Sequence, residues 1–170
     1  MRDLDALNAL PAEAAEAAFL RCCGSVRWAH RMAARRPFAD VDAVLAAADA
    51  AADELTEADW LEAFAQHPRI GDLDALRTRF TDTRTWSADE QAGAAGASDT
   101  VLHALAEGNR TYETRFGFTF IVCATGRCAD EMLDLLQARL SNDRWVEIGV
   151  AAAEQRAITR LRLDKLVRET

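Results

Sequence analysis

Alanine-rich runs separated by scarce proline and glycine constrain this chain more than any other feature. Only 3 prolines and 8 glycines occur in 170 residues, and most stand at the edges of the apolar runs. Alanine is the best helix former, because it loses no side-chain entropy and buries no polar group. The composition therefore leans towards an all-α fold.

The punctuation divides the first half into four helices. Pro11 suits the first turn of "PAEAAEAAFLRCC", glutamates follow it, and Gly24 closes the run. Ser25 can cap "VRWAHRMAARR", which Pro37 stops, and Asp40 can cap "VDAVLAAADAAADEL". Thr56 can cap "EADWLEAFAQH", which Pro68 stops. In that fourth run Trp60, Phe64 and His67 fall at i, i+4 and i+7, on one helical face. His67 would thus end an apolar stripe at a helix C-terminus, where the dipole favours a cation.

The pattern weakens after Gly71. "LDALRTRF" reads as a short helix followed by a polar loop, and "SADE", Ser87 to Glu90, has the Ser-x-x-Glu form of a capping box. Gly93 and Gly96 shorten or bend the helix that follows. Ser98 opens a better one through "TVLHALAEGNRTYETRF", with Gly117 as its stop. "FTFIVCA", Phe118 to Ala124, is the one strand-like run. It has no sheet to join, so a buried extended segment or a helix start is expected. "ADEMLDLLQARLSN" and "DRWVEIGVAAAEQRAITRLRLDKLVRE" complete the chain as two amphipathic helices. The expectation is one all-α domain over 1–170, a bundle of about seven to nine helices with one short irregular apolar segment.

Half of the residues are apolar, the formal net charge is −8 and the pI is about 4.9. Nucleic acid is a poor partner for such a surface, since phosphate binding needs a basic patch. A small anion is not excluded, because a local His/Arg pocket can override the global field. Cys22, Cys23, Cys123 and Cys128 have neither zinc-site nor disulfide-scaffold spacing. They read as buried or half-buried thiols in a reducing compartment. "MRDLDALNAL" is too weakly apolar for a signal peptide, and no run approaches the ~18 apolar residues of a membrane span. With no targeting address in "VRET", a soluble cytoplasmic protein is expected.

Three histidines are present. His30 and His103 sit within helical runs and read as ordinary helix residues. No H-E-x-x-H, phosphate-cradling glycine loop or G-x-S-x-G elbow appears. "NRT" at Asn109 matches a glycosylation sequon by chance. His67, at its Pro-stopped corner, is either a polar helix stop or a catalytic imidazole.

Five blocks, in order, carry a resemblance: "HPRIGD" (67–72), "WSADEQAGA" (86–94), "NRTYETRFGFTFIVCATGR" (109–127), "ARLSND" (138–143) and "AAAEQRAITRLRLDKL" (151–166). Together they resemble the 2-oxo-4-hydroxy-4-carboxy-5-ureidoimidazoline (OHCU) decarboxylases, cofactor-free lyases that complete the conversion of urate to (S)-allantoin. The resemblance covers nearly the whole chain and is weaker at the N-terminal end. It implies an all-α fold, usually a homodimer, with no metal or organic cofactor and a small ureidoimidazoline substrate; with the charge and the lack of a long apolar run, no nucleic-acid or membrane partner is expected.

The resemblance also carries roles onto individual residues. It puts the catalytic proton transfer on His67 and a substrate contact on Pro68. It maps the substrate loop onto Thr83, Arg84, Thr85, Trp86 and Ser87, with Glu90 beside it. Backbone contacts fall on Phe118, Thr119, Phe120, Ile121 and Val122, and the guanidinium contact on Arg162. Two positions depart from the family pattern. Trp86 stands where many members have a glutamate with a catalytic role, and Arg69 where many have aspartate. Glu90 reads equally as a capping residue or as a second acid/base group. Arg162 reads equally as one of several solvated arginines on the last helix. A helical interaction module without catalysis, motivated by Trp86, and a related lyase on another ureido-heterocycle stay open as alternatives.

Overall fold

The computed structural model describes residues 2–67 and 98–169. Among the described residues there are eight helices and no strand. They are α1 (Arg2–Ala9), α2 (Ala12–Cys23), α3 (Val26–Ala34), α4 (Val41–Asp53), α5 (Glu57–Ala65), α6 (Asp99–Phe116), α7 (Ala129–Arg139) and α8 (Arg144–Glu169). The chain divides into two compact units, Met1–Gln66 with Ala152–Thr170, and His67–Ala151.

In the first unit the expected caps form. Ser25 Oγ accepts from Trp28 N, Asp40 from Ala43 N, and the Thr56 side chain from Asp59 N. Asp59 also accepts from Thr56 N at 2.8 Å, closing a capping box, with aspartate in the place glutamate often takes. Gly24 ends α2 at φ 91°, in the left-handed region where a Cβ is strained. A Cβ there would also lie 2.9 Å from Gln66 Cγ and 3.2 Å from the Ala63 carbonyl oxygen. Glycine thus lets the α2–α3 corner press against the end of α5. Glu62 of α5 accepts from Val26 N at 3.0 Å across the same contact.

Helix α1 was not expected from its short, acidic run. It exists because Leu4 and Leu7 are buried and because Arg36 caps its end from outside, donating to Leu7 O at 2.9 Å and Leu10 O at 2.7 Å. An eight-residue helix is too short to persist alone, so tertiary contacts supply what propensity does not. Nearby, Phe19 meets Trp28 edge-on at 6.2 Å, and Trp28 Nε1 donates to Ala48 O at 3.1 Å.

The second unit is built on α6, α7 and the first turns of α8. Ser98 caps α6, and Gly117 ends it at φ 80°. Gly108 lets α7 approach α6, since a Cβ there would fall 2.6 Å from Leu136 Cδ2. Phe118 to Val122 then runs without regular structure and is buried throughout. Of the two readings of "FTFIVCA", the helix start does not form, and Phe118 to Val122 is buried. Tyr112, Phe116, Phe118 and Phe120 pack as one aromatic cluster, with Tyr112 at 4.6, 5.7 and 5.2 Å from the other three rings.

One expected boundary is corrected. Helix α5 ends at Ala65, not at His67: Gln66 caps it, donating its N–H to Ala63 O and Phe64 O. Trp60 and Phe64 stack at 6.2 Å on one face, but His67 lies past the end of the helix in a bend. The chain therefore leaves helical geometry before the proline, as the residue preceding a proline is pushed out of the α region.

Candidate functional site

His67 is half-buried and follows directly on the Gln66 cap. The cap itself is held, because α5 is tied to the α2–α3 corner at Gly24, Glu62 and the Arg27–Asp59 pair at 3.4 Å. His67 thus follows a helix end directly in sequence and is not part of the helical face that the spacing implied. His30 and His103 are exposed on helices, as ordinary helix residues, and His30 pairs with Glu16 at 2.8 Å. Pro68, Thr83, Arg84, Thr85, Trp86, Ser87 and Glu90 lie outside the described residues.

Phe118, Thr119, Phe120, Ile121 and Val122 form one continuous buried run. No described residue offers a backbone partner to the N–H groups of Thr119, Phe120, Ile121 or Val122. Buried amides nearly always find an acceptor, so donors without a backbone partner among the described residues are suited to a polar ligand.

Behind this segment stands a buried ionic cluster that reading the sequence missed. Arg139, from the last turn of α7, donates through Nη1 to Ile121 O at 2.8 Å and through Nε to Glu147 Oε1 at 2.8 Å. Its guanidinium also lies 4.6 Å from the centre of the Phe120 ring. Glu147 is fully buried in the first turn of α8 and accepts from Asn142 Nδ2 at 2.8 Å and from the Tyr112 hydroxyl. The Tyr112 oxygen in turn accepts from Arg139 at 3.4 Å. Burial first, and Glu147 beside it, push the Tyr112 hydroxyl far above its ordinary range, so it stays a donor. Arg139 and Tyr112 lie inside two of the quoted blocks, and that was the only available signal.

Arg162, on the last helix, is exposed and donates through Nη1 to Cys22 O at 3.3 Å and Arg21 O at 3.4 Å, at the carboxyl end of α2. Its neighbours are neutralised: Arg156 by Asp53 at 2.8 Å, Arg160 by Asp49 at 2.7 Å and Arg168 by Asp164 at 2.9 Å. Among the described residues no carboxylate pairs with Arg162. It therefore differs from the solvated arginines around it and keeps a largely uncommitted fork. His67 and the Phe118–Val122 run belong to one compact unit and Arg162 to the other.

No disulfide joins any of the four cysteines. Burial pushes the Cys22 thiol up from 9.0 to about 11, against the opposing pull of Arg162 and Arg21, and burial also raises Cys23. The folded chain then holds the Cys22 proton where the unfolded chain releases it. Its contribution to stability is present below pH 9.0 and is lost towards about 11. At pH 8 roughly one Cys22 in a thousand is thiolate. Iodoacetamide at that pH will modify the half-buried Cys123 and Cys128 before Cys22 or Cys23. Peptide mapping checks the order, and early labelling of Cys22 would contradict it.

Among the described residues no group of three or more His, Cys, Asp or Glu side chains is placed to hold a metal ion, and no helix is long and apolar enough to cross a membrane.

Comparison with known proteins gives a consistent set of likenesses. Residues 8–164 match the family model described as OHCU decarboxylase. The chain is 39% identical over 145 residues to the uric acid degradation bifunctional protein TTL of Arabidopsis thaliana, covering 85% of this chain but 45% of that protein. It is 29% identical over 137 residues to a 2-oxo-4-hydroxy-4-carboxy-5-ureidoimidazoline decarboxylase of Haloferax volcanii, covering 79% and 77% of the two chains. A crystal structure of an OHCU decarboxylase in the presence of (S)-allantoin superposes with a TM-score of 0.73 at 36% identity, over 88% of this chain and 96% of that one.

Proposed function

The chain belongs to the OHCU decarboxylase family, and from that premise we propose that it converts OHCU to (S)-allantoin in urate degradation, with His67 moving the proton. The observation that carries the reading is the match over residues 8–164, which spans every residue of the expected site. For the same reason 1–170 is taken as one functional domain.

The chemistry follows from the substrate. Its carboxylate sits on a ring carbon that also bears a hydroxyl, beside ring nitrogens and a carbonyl. Breaking the carbon–carboxylate bond releases carbon dioxide and leaves the electron pair on that carbon, where the neighbouring unsaturated ring accepts it. No pyridoxal- or thiamine-type electron sink is required. The protein has three tasks: to hold the carboxylate out of the ring plane, to stabilise the developing charge, and to deliver one proton to one face. An imidazole, with an ordinary pKa of ~6.5, suits the proton transfer. The uncommitted Arg162 fork suits a planar anion or carbonyl. The buried N–H groups of Thr119 to Val122 suit ring carbonyls that gain negative charge. Pro68, the loop from Thr83 to Ser87, and Glu90 complete the proposed substrate contacts. Glu90 is the nearby acid available as a second acid/base group where Trp86 replaces the usual glutamate. We take the protein as a cytoplasmic homodimer.

Uncatalysed decarboxylation gives both enantiomers, so stereochemistry tests the proposal directly. Urate oxidase and hydroxyisourate hydrolase generate the substrate in situ, and circular dichroism follows the product. The purified chain will accelerate loss of the intermediate and yield one allantoin enantiomer. Racemic product at the uncatalysed rate would reject the reading and favour an interaction module. Turnover of a different ureido-heterocycle only, in a substrate panel, would favour the related lyase.

A further inference from the structure

We infer that Arg139 is a positioning residue for this reaction: through the Ile121 carbonyl it sets and polarises the peptide whose N–H, on Val122, meets the substrate. The inference rests on the proposed decarboxylase reading and assigns the cluster behind the site a part in it. Ile121 O and Val122 N–H belong to one peptide unit, which is trans, so the two groups point in opposite directions across one plane. Arg139 Nη1 holds Ile121 O at 2.8 Å. Val122 N–H must then point away from the guanidinium. Val122 is buried, and its N–H has no backbone partner among the described residues.

The rest of the cluster gives the guanidinium one orientation. Nε is taken by Glu147 at 2.8 Å, and the plane lies over Phe120 at 4.6 Å. Glu147 is itself fixed by Asn142 and the Tyr112 hydroxyl. Tyr112 lies on α6, Arg139 on α7 and Glu147 on α8, so the plane of one peptide is set by three helices together. A cationic donor on a carbonyl also strengthens the N–H on the far side of the same peptide, because chained hydrogen bonds polarise one another. A buried ion pair is by itself weak evidence of a stabilising role; the part of this one that an apolar pair could not replace is the hydrogen bond to Ile121 O.

Arg139→Lys tests the role. It keeps a positive charge for Glu147, but a single ammonium cannot occupy both the Nε and Nη1 positions of the fork. In folded Arg139→Lys, kcat will fall about 10- to 100-fold, the range below loss of a whole oxyanion donor, with KM changed by less than roughly three-fold. Leu136→Ala, a core change in α7 facing Gly108, is the control of comparable instability and will leave kcat unchanged. An equal fall in kcat in the control would reduce Arg139 to a structural residue and overturn the proposal. An active wild type whose Arg139→Lys variant keeps wild-type kcat and KM overturns the role of Arg139 alone. A wild type without turnover overturns the decarboxylase reading and this role with it. Should Arg139→Lys not fold, the Val122 amide resonance of the wild type decides. It will shift on titration with (S)-allantoin, and an unmoved resonance at saturation overturns the proposal.

Discussion

His67→Ala will lower decarboxylation by about 10²- to 10⁴-fold, the range expected when a positioned proton-transfer group is removed. The fold will survive the change. His67 stands after the end of α5 and is only half-buried, so its side chain is not core. The helix before it keeps its own ties, through the Thr56–Asp59 capping box and the Glu62–Val26 and Arg27–Asp59 contacts. Far-ultraviolet circular dichroism and the thermal midpoint of the variant will match the wild type, while the coupled assay reports the loss. Two outcomes are informative against the assignment. Turnover near the wild-type value removes His67 from the mechanism. Fast but racemic product instead leaves it a role only in choosing the face that is protonated.

The largest effect on stability is expected from Arg139→Met. Glu147 is fully buried, and without the guanidinium its charge keeps, among the described residues, the Asn142 amide and the Tyr112 hydroxyl. Breaking a buried pair from one side typically costs about 3–5 kcal/mol, much of it the unpaired charge left behind. For a chain of this length that corresponds to a fall in thermal midpoint of roughly 6–20 °C. Arg139→Met combined with Glu147→Leu will recover part of the loss, because both charges then leave the interior together. Recovery will be incomplete, since Ile121 O and the Tyr112 hydroxyl still lose their partners. Thermal denaturation of the three variants checks the ordering. A single variant as stable as the wild type would show that water already reaches Glu147.

The helix boundaries were largely legible because their causes are local. Ser25, Asp40, Thr56 and Ser98 each cap through a hydrogen bond to a residue three positions on, and Gly24 and Gly117 stop helices through their own left-handed backbone. Such interactions need only the neighbouring sequence. The end of α5 falls two residues before His67, with Gln66 as its cap. Of the candidate site, His67, Arg162 and the Phe118–Val122 run were named through family resemblance. Residue spacing alone left a helix stop, a solvated arginine and a plain core segment as open readings. The structure separates Arg162 from its neighbours by a property no spacing encodes: Arg156, Arg160 and Arg168 have carboxylate partners, and Arg162 has carbonyls.

What the sequence determined by itself was the all-α class, the order of the helices and most of their ends, because propensity and capping act within one or two turns. Only the tertiary structure decided that α1 forms, through Arg36 across 29 positions, and that Arg139 grips the Ile121 carbonyl across 18. It also decided that the Tyr112 hydroxyl, 35 residues from Glu147, donates to its carboxylate in the buried interior. Those contacts depend on which distant segments are brought together and on how completely water is excluded. Neither quantity is a function of the local residues, and both bear on the segment proposed to hold the substrate.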